Sequence, residues 1–175
     1  LEGQGDKGAK YDMRLVSPML LISKVIIINV TCAAGPPKDE ILDTLSSIMC
    51  ATRLLHATTR SARGCYGNLH VILRDCDNDE DEIHQMIFGI ENGAPSNHEL
   101  SNRNDIRREI RTVFESVPQV WCLPRLDVPR GGLPRDHLKL EGNNASKYKG
   151  KIRDLRNAIG VQVASPKLLD RSPLT

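Results

Sequence analysis

Val25-Ile26-Ile27-Ile28-Asn29-Val30-Thr31 decides the fold of this 175-residue chain. All but Asn29 are β-branched, and no polar residue alternates with them. A run of this kind reads as a strand buried on both faces, which favours a parallel sheet. Two further strands follow: Leu69-His70-Val71-Ile72-Leu73, which ends in Arg74-Asp75, and Val120-Trp121-Cys122-Leu123. Helical periods separate them. Gly35-Pro36-Pro37 starts a helix reaching about Thr59, built on Ile41, Leu45, Ile48, Met49, Thr52 and Leu55. Pro37 suits its first turn, and Asp39 and Glu40 suit its positive end. Asn78 to Ile90 carries Ile83, Ile87 and Ile90 on one face, and Glu91 to Ser101 reads as a polar loop. Ile106, Ile110, Val113 and Phe114 mark a basic amphipathic helix. Strands alternating with helices predict an α/β layered fold with right-handed crossovers.

Outward from this core the signals change. Residues 1–11, with four charges and three glycines, read as a loop. Asp12 to Ser23 reads as a helix on Met13, Val16, Met19 and Leu20, with Pro18 as a kink or a boundary. Pro124 to Gly150 is rich in Pro, Gly, Asn and charge and reads as a long loop, which in a compact domain is usually functional or disordered. Ser146 to Ile159 is a last helix on Tyr148, Ile152, Leu155 and Ile159, and the tail to Thr175 shows no clear element. The length fits one domain.

Composition narrows the function. Lys plus Arg is 24 against 22 for Asp plus Glu, so no global electrostatic case for nucleic acid exists. The five cysteines include no CxxC pair, which argues against zinc. Cys32 and Cys122 lie at or in apolar strands and read as reduced, buried thiols, which fits a reducing, cytosol-facing compartment. Leu15 to Val30 is broken by Pro18 and Lys24 and falls short of the about 20 apolar residues that span a bilayer. The expected location is cytoplasmic or on the cytosolic face of a membrane, with any membrane attachment left open.

In open α/β sheets, ligands bind beyond the carboxyl ends of the strands. Gly3 to Asp6, Thr31 to Pro37 and Arg74-Asp75 are expected there. A carboxylate at Asp75 can accept two parallel hydrogen bonds from the N1–H and N2–H₂ edge of guanine. Adenine offers no such donor pair, and an unmet buried partner is costly. The alternative is that Asp75 caps the next helix or is solvated, since Asp77, Asp79, Glu80, Asp81 and Glu82 follow. That run is not a calcium loop: Glu80 stands where the loop needs glycine, and Met86 where it needs glutamate. Gly3 and Gly5 allow backbone N–H groups to approach a phosphate. No GxxxxGK[ST] stretch occurs in the chain, and its five histidines form no acid–base set. Arg103, Arg107, Arg108 and Arg111 read as a solvated helix face.

These features together resemble the large dynamin-related GTPases of the guanylate-binding protein and atlastin type. Leu1-Glu2-Gly3-Gln4-Gly5-Asp6 resembles the end of the family's Asp-x-Glu-Gly-x-Gly-Asp switch segment. Met19 to Asn29 resembles its apolar helix and following strand, although Ile28-Asn29 stands where the family usually has Tyr-Asn. Val71-Ile72-Leu73-Arg74-Asp75 resembles its Arg-Asp guanine motif, and Trp121 to Leu126 keeps the shape of its later strand and Arg-Pro-like corner. The likeness covers roughly residues 1–165.

The resemblance implies a three-layer, P-loop NTPase-like fold, the dynamin-superfamily G domain, with a mostly parallel sheet. It implies that residues 1–175 are part of a GTPase domain whose P-loop segment would precede Leu1. It makes residues 1–11 a switch-like loop and 124–150 a guanine cap. It implies GTP or GDP as ligand, Mg²⁺ in the complete domain, and pairing of two G domains on GTP binding. Gly3 is then the γ-phosphate contact, and Arg74 and Asp75 the base-binding residues. Without a P-loop, weak or no GTP binding and no hydrolysis are expected of this chain alone. The competing expectation is a non-catalytic, GTPase-like interaction module.

Overall fold

Three parallel strands form the sheet in the order β1-β2-β3: β1 is Val25–Thr31, β2 is Asn68–Arg74 and β3 is Gln119–Leu123. The computed structural model describes residues 19–32, 35–56, 64–92, 98–126, 144–164, 168–169 and 172–173. Residues 19–22 are helical, the described end of the helix expected before β1, and the further helices are α1 (Lys38–His56), α2 (Glu80–Phe88), α3 (His98–Val113) and α4 (Ala145–Ala164). The result is a small mixed α/β domain with a parallel sheet flanked by helices, as the alternating pattern predicts. None of the described helices is long and apolar enough to cross a membrane.

Register separates the two faces of the sheet. Ile26 pairs with Leu69, Ile28 with Val71, and Val71 in turn with Val120. These side chains share one core with Ile41, Leu42 and Leu45 of α1, Ile83 and Ile87 of α2, and Ile110 of α3. Full burial of one such side chain stabilises by about 1.5–3 kcal/mol. The opposite face carries Ile27, His70 and Trp121. There α4 is tied down by a relay: Trp121 Nε1–H donates to His70 Nδ1 at 2.9 Å, and His70 Nε2 lies 2.7 Å from Gln162 Oε1. The acceptor role of Nδ1 assigns the proton to Nε2, which donates to the glutamine.

The sheet's amino end is closed by a close backbone crossing. Asn68 N–H donates to the Lys24 carbonyl at 2.8 Å. A Cβ on Gly67 would lie 2.2 Å from that same oxygen, so only glycine fits. Lys24 also pairs with Glu115 at 2.7 Å.

Several expectations need correction. β1 is not buried on both faces: Ile26 and Ile28 are buried, but Ile27 is 49% exposed. Its outer edge has no strand partner among the described residues, so β-branching here reflects strand propensity rather than two-sided burial. Helix α1 begins at Lys38; Pro37 precedes it and accepts from Ile41 N–H, the role of a cap rather than a first-turn residue. Helix α2 spans only Glu80–Phe88, because the Asp79 carboxylate caps its start and Gly89 ends it. Ile90 is outside it. The polar loop before α3 is shorter than expected, since the helix starts at His98. The last six residues of the 124–150 loop belong to α4, which also runs beyond Ile159 to Ala164. The tail contains a minimal antiparallel pair, Leu168–Leu169 with Ser172–Pro173. Residues 1–18, with the switch-like loop and most of the first expected helix, and residues 127–143 of the proposed cap lie outside the described residues. So do the side chains of Thr52 and Leu55.

Candidate functional site at the carboxyl end of the sheet

The carboxyl ends of β1, β2 and β3 bring Thr31-Cys32, Arg74-Asp75-Cys76 and Cys122-Leu123 together. The strands are stitched past their ends by backbone bonds: Cys32 N–H donates to the Arg74 carbonyl at 2.8 Å, and Cys76 N–H to the Leu123 carbonyl at 2.9 Å. Arg74 and Thr31 are register partners on the sheet face opposite the main core, and Arg74 Nη2 donates to Thr31 Oγ1 at 2.7 Å.

Asp75 follows the middle strand directly and is exposed. It is the one non-glycine residue with positive φ among the described residues, at 57°. Aspartate tolerates this left-handed region better than most residues, yet the conformation still costs energy. Asp75 does not cap α2. That role belongs to Asp79, which accepts from the N–H groups of Asp81 at 3.0 Å and Glu82 at 3.1 Å. The exposed Asp75 carboxylate is therefore not consumed by the helix that follows.

Acidic and basic groups frame this turn. Glu80 accepts from Cys122 N–H at 2.9 Å and pairs with Lys151 of α4 at 2.6 Å. Lys147 of α4 reaches Asp77 at 3.8 Å. Asn144 Nδ2 donates to the Arg125 carbonyl at 3.0 Å, which sets the start of α4 beside the end of β3.

Beneath the turn lie three buried thiols, one from each strand end: Cys32, Cys76 and Cys122. Cys76 Sγ and Cys122 Sγ are 3.4 Å apart. Burial, then the neighbouring Cys76 thiol, pushes Cys32 up to about 12, with Asp75 adding to the rise. Burial and contact with Cys76 raise Cys122 likewise. Cys32 and Cys122 are buried, reduced thiols, as their apolar strand context predicts.

A second polar cluster was not legible as one. Arg107 is fully buried, contrary to its expected place on a solvated helix face. It donates to the Ile87 carbonyl at 3.0 Å, to Asn104 Oδ1 at 3.0 Å and to Glu91 Oε1 at 2.5 Å. Lys38 at the start of α1 meets the same carboxylate oxygen at 2.5 Å. The hydrogen bond from Lys38, then that from Arg107, holds the Glu91 carboxyl below its usual range. Its neighbours behave as expected: Arg103 bridges Asp39 and Glu99, and Arg108 pairs with Asp105 at the surface. The signal for Arg107 lay in its spacing, three residues before Ile110 and six before Val113 on the buried stripe.

Of the residues expected at the site, Arg74 meets Thr31 at the carboxyl end of the sheet, Asp75 follows it as an exposed residue, and Gly3 lies outside the described residues. Among the described residues no group of three His, Cys, Asp or Glu side chains is arranged to hold a metal ion. No protein-family model matches the chain, and no curated protein matches it.

Proposed function

We propose that this chain is a guanine-nucleotide-binding domain of a large GTPase of the guanylate-binding protein and atlastin type, with a dynamin-superfamily G-domain fold. The observation that carries the reading is Asp75: an exposed carboxylate just beyond the middle strand, on left-handed backbone at φ 57° and not used as a helix cap. In this reading Asp75 accepts from guanine N1–H and N2–H₂. Arg74, anchored on Thr31, holds the turn in place. Gly3 contacts the γ-phosphate, residues 124–150 contribute the cap over the base, and GTP pairs two such domains. Hydrolysis in the complete domain is in-line attack of water on the γ-phosphate, driven by positioning and electrostatics. The chain carries no GxxxxGK[ST] phosphate cradle, so its own GTP affinity is expected to be weak.

Calorimetry with GTP and XTP on the native-length protein and on its Asp75→Asn variant tests this directly. Xanthine has an oxygen at C2, which suits an amide donor and repels a carboxylate. The expected result is that Asp75→Asn loses GTP and gains XTP. A non-catalytic interaction module is the second reading, favoured by the outer edge of β1, which has no strand partner among the described residues, and by the exposed Ile27 beside it. It takes over if neither protein binds either nucleotide.

A further inference from the structure

We propose that Cys76 and Cys122 form an oxidisable dithiol that closes to a disulfide under a peroxide oxidant and pins the Arg74–Cys76 turn to β3. The inference stands on thiol geometry and holds whether or not guanine binds there. The two sulfurs are in contact at 3.4 Å although 46 residues separate them in sequence. Cys122 is fixed within β3, and Cys76 is held beside it by its own N–H bond to the Leu123 carbonyl. Both are reduced in this structure.

Cys76 has an unusual setting. Arg74, Asp75, Asp77 and Asn78 around it are all exposed, and Cys76 alone in this stretch is buried. Opening of the turn at the left-handed Asp75 brings its sulfur to solvent without unfolding a strand. Burial keeps Cys122 protonated in the closed state, so reaction waits on that opening. The chemistry then proceeds in two steps. Peroxide transfers one oxygen to the Cys76 sulfur, giving a sulfenic acid and releasing water. Cys122 sulfur attacks that sulfur, its proton leaves with the hydroxyl as a second water, and the S–S bond forms. Two thiols and one hydrogen peroxide yield one disulfide and two waters, the thiols having lost two electrons.

Cys32 is the competitor, since it is the third buried thiol at these strand ends and the neighbouring Cys76 thiol raises it. Cys65 is the internal control: a buried thiol elsewhere, donating to the Val113 carbonyl at 3.6 Å. The test uses the unmodified chain, treated with hydrogen peroxide, blocked with an alkylating reagent, digested without reductant and read by mass spectrometry. The expected result is a linked pair of peptides containing Cys76 and Cys122, lighter by two hydrogens and separated by dithiothreitol, while Cys65 remains alkylated. Cys32→Ala should leave the link in place and Cys122→Ser should abolish it. The proposal is overturned if Cys76 and Cys122 both remain alkylated after peroxide, or if the dominant link joins Cys32 to Cys76.

Discussion

Arg107 meets Glu91 at 2.5 Å with none of its own side chain exposed, and so joins α3 to the segment that leaves α2. Removing one partner of a buried pair strands the other, at a typical cost of 3–5 kcal/mol. Glu91 is half-exposed and keeps Lys38, so Arg107→Met is expected at the lower end, about 3 kcal/mol. Urea denaturation measures it. A loss below about 1 kcal/mol would assign Arg107 no more weight than a surface pair.

Glu91 also sets a pH dependence. Its carboxyl is held below the ordinary value of 4.5, chiefly by the hydrogen bond from Lys38. The folded state therefore binds this proton less readily than the unfolded chain. The resulting stabilisation is fully present above pH 4.5 and is lost as pH falls through the lower folded value. Glu91→Gln should flatten the acid side of a stability-versus-pH curve and leave its neutral-pH slope unchanged. Parallel acid limbs for parent and variant would show that other carboxylates govern the loss.

Trp121→Phe takes the indole donor away from His70 and leaves a buried ring nitrogen unmet, which costs about 1–3 kcal/mol. Because His70 also binds Gln162, amide exchange in the last turns of α4 should speed up with it. Unchanged protection there would mean that the relay does not hold the helix. Trp121 is the chain's single tryptophan, so Gln162→Ala can be followed by its fluorescence.

Asp75 combines backbone strain with the proposed base reading. Glycine adopts φ 57° freely, so Asp75→Gly is expected to stabilise the fold by up to about 1 kcal/mol. Under the proposed function the same change abolishes guanine selectivity. A thermal shift series with a nucleotide titration checks both halves. A clear fall in stability would show that the carboxylate contributes to the fold itself.

The strands and most helices were legible because hydrophobic period and turn residues act locally. The run from Val25 to Thr31 showed a strand but not its surroundings, since β-branching reports backbone preference and Ile27 is half exposed. Arg107 was read as surface from its charge, whereas its neighbours on the helix fixed its face. The ends of α2 depended on Asp79 and Gly89, which local composition blurred among six nearby acids. Arg74-Asp75 was found from its place after a strand. The contact between Cys76 and Cys122 was not, because it arises only when β2 and β3 lie side by side.

The parallel register of the sheet also governs how the chain must assemble. Thr31 and Asn68, and then Arg74 and Gln119, are joined through intervening helices, so no hairpin can start the sheet. Both pairings among these three strands must wait for a long loop to close, a topology that folds slowly. The bonds of helix α4 from Gln162 and Lys151 reach residues 92 and 71 positions earlier. Its docking needs β2 and the start of α2 in place to receive it, because its partners His70 and Glu80 lie there.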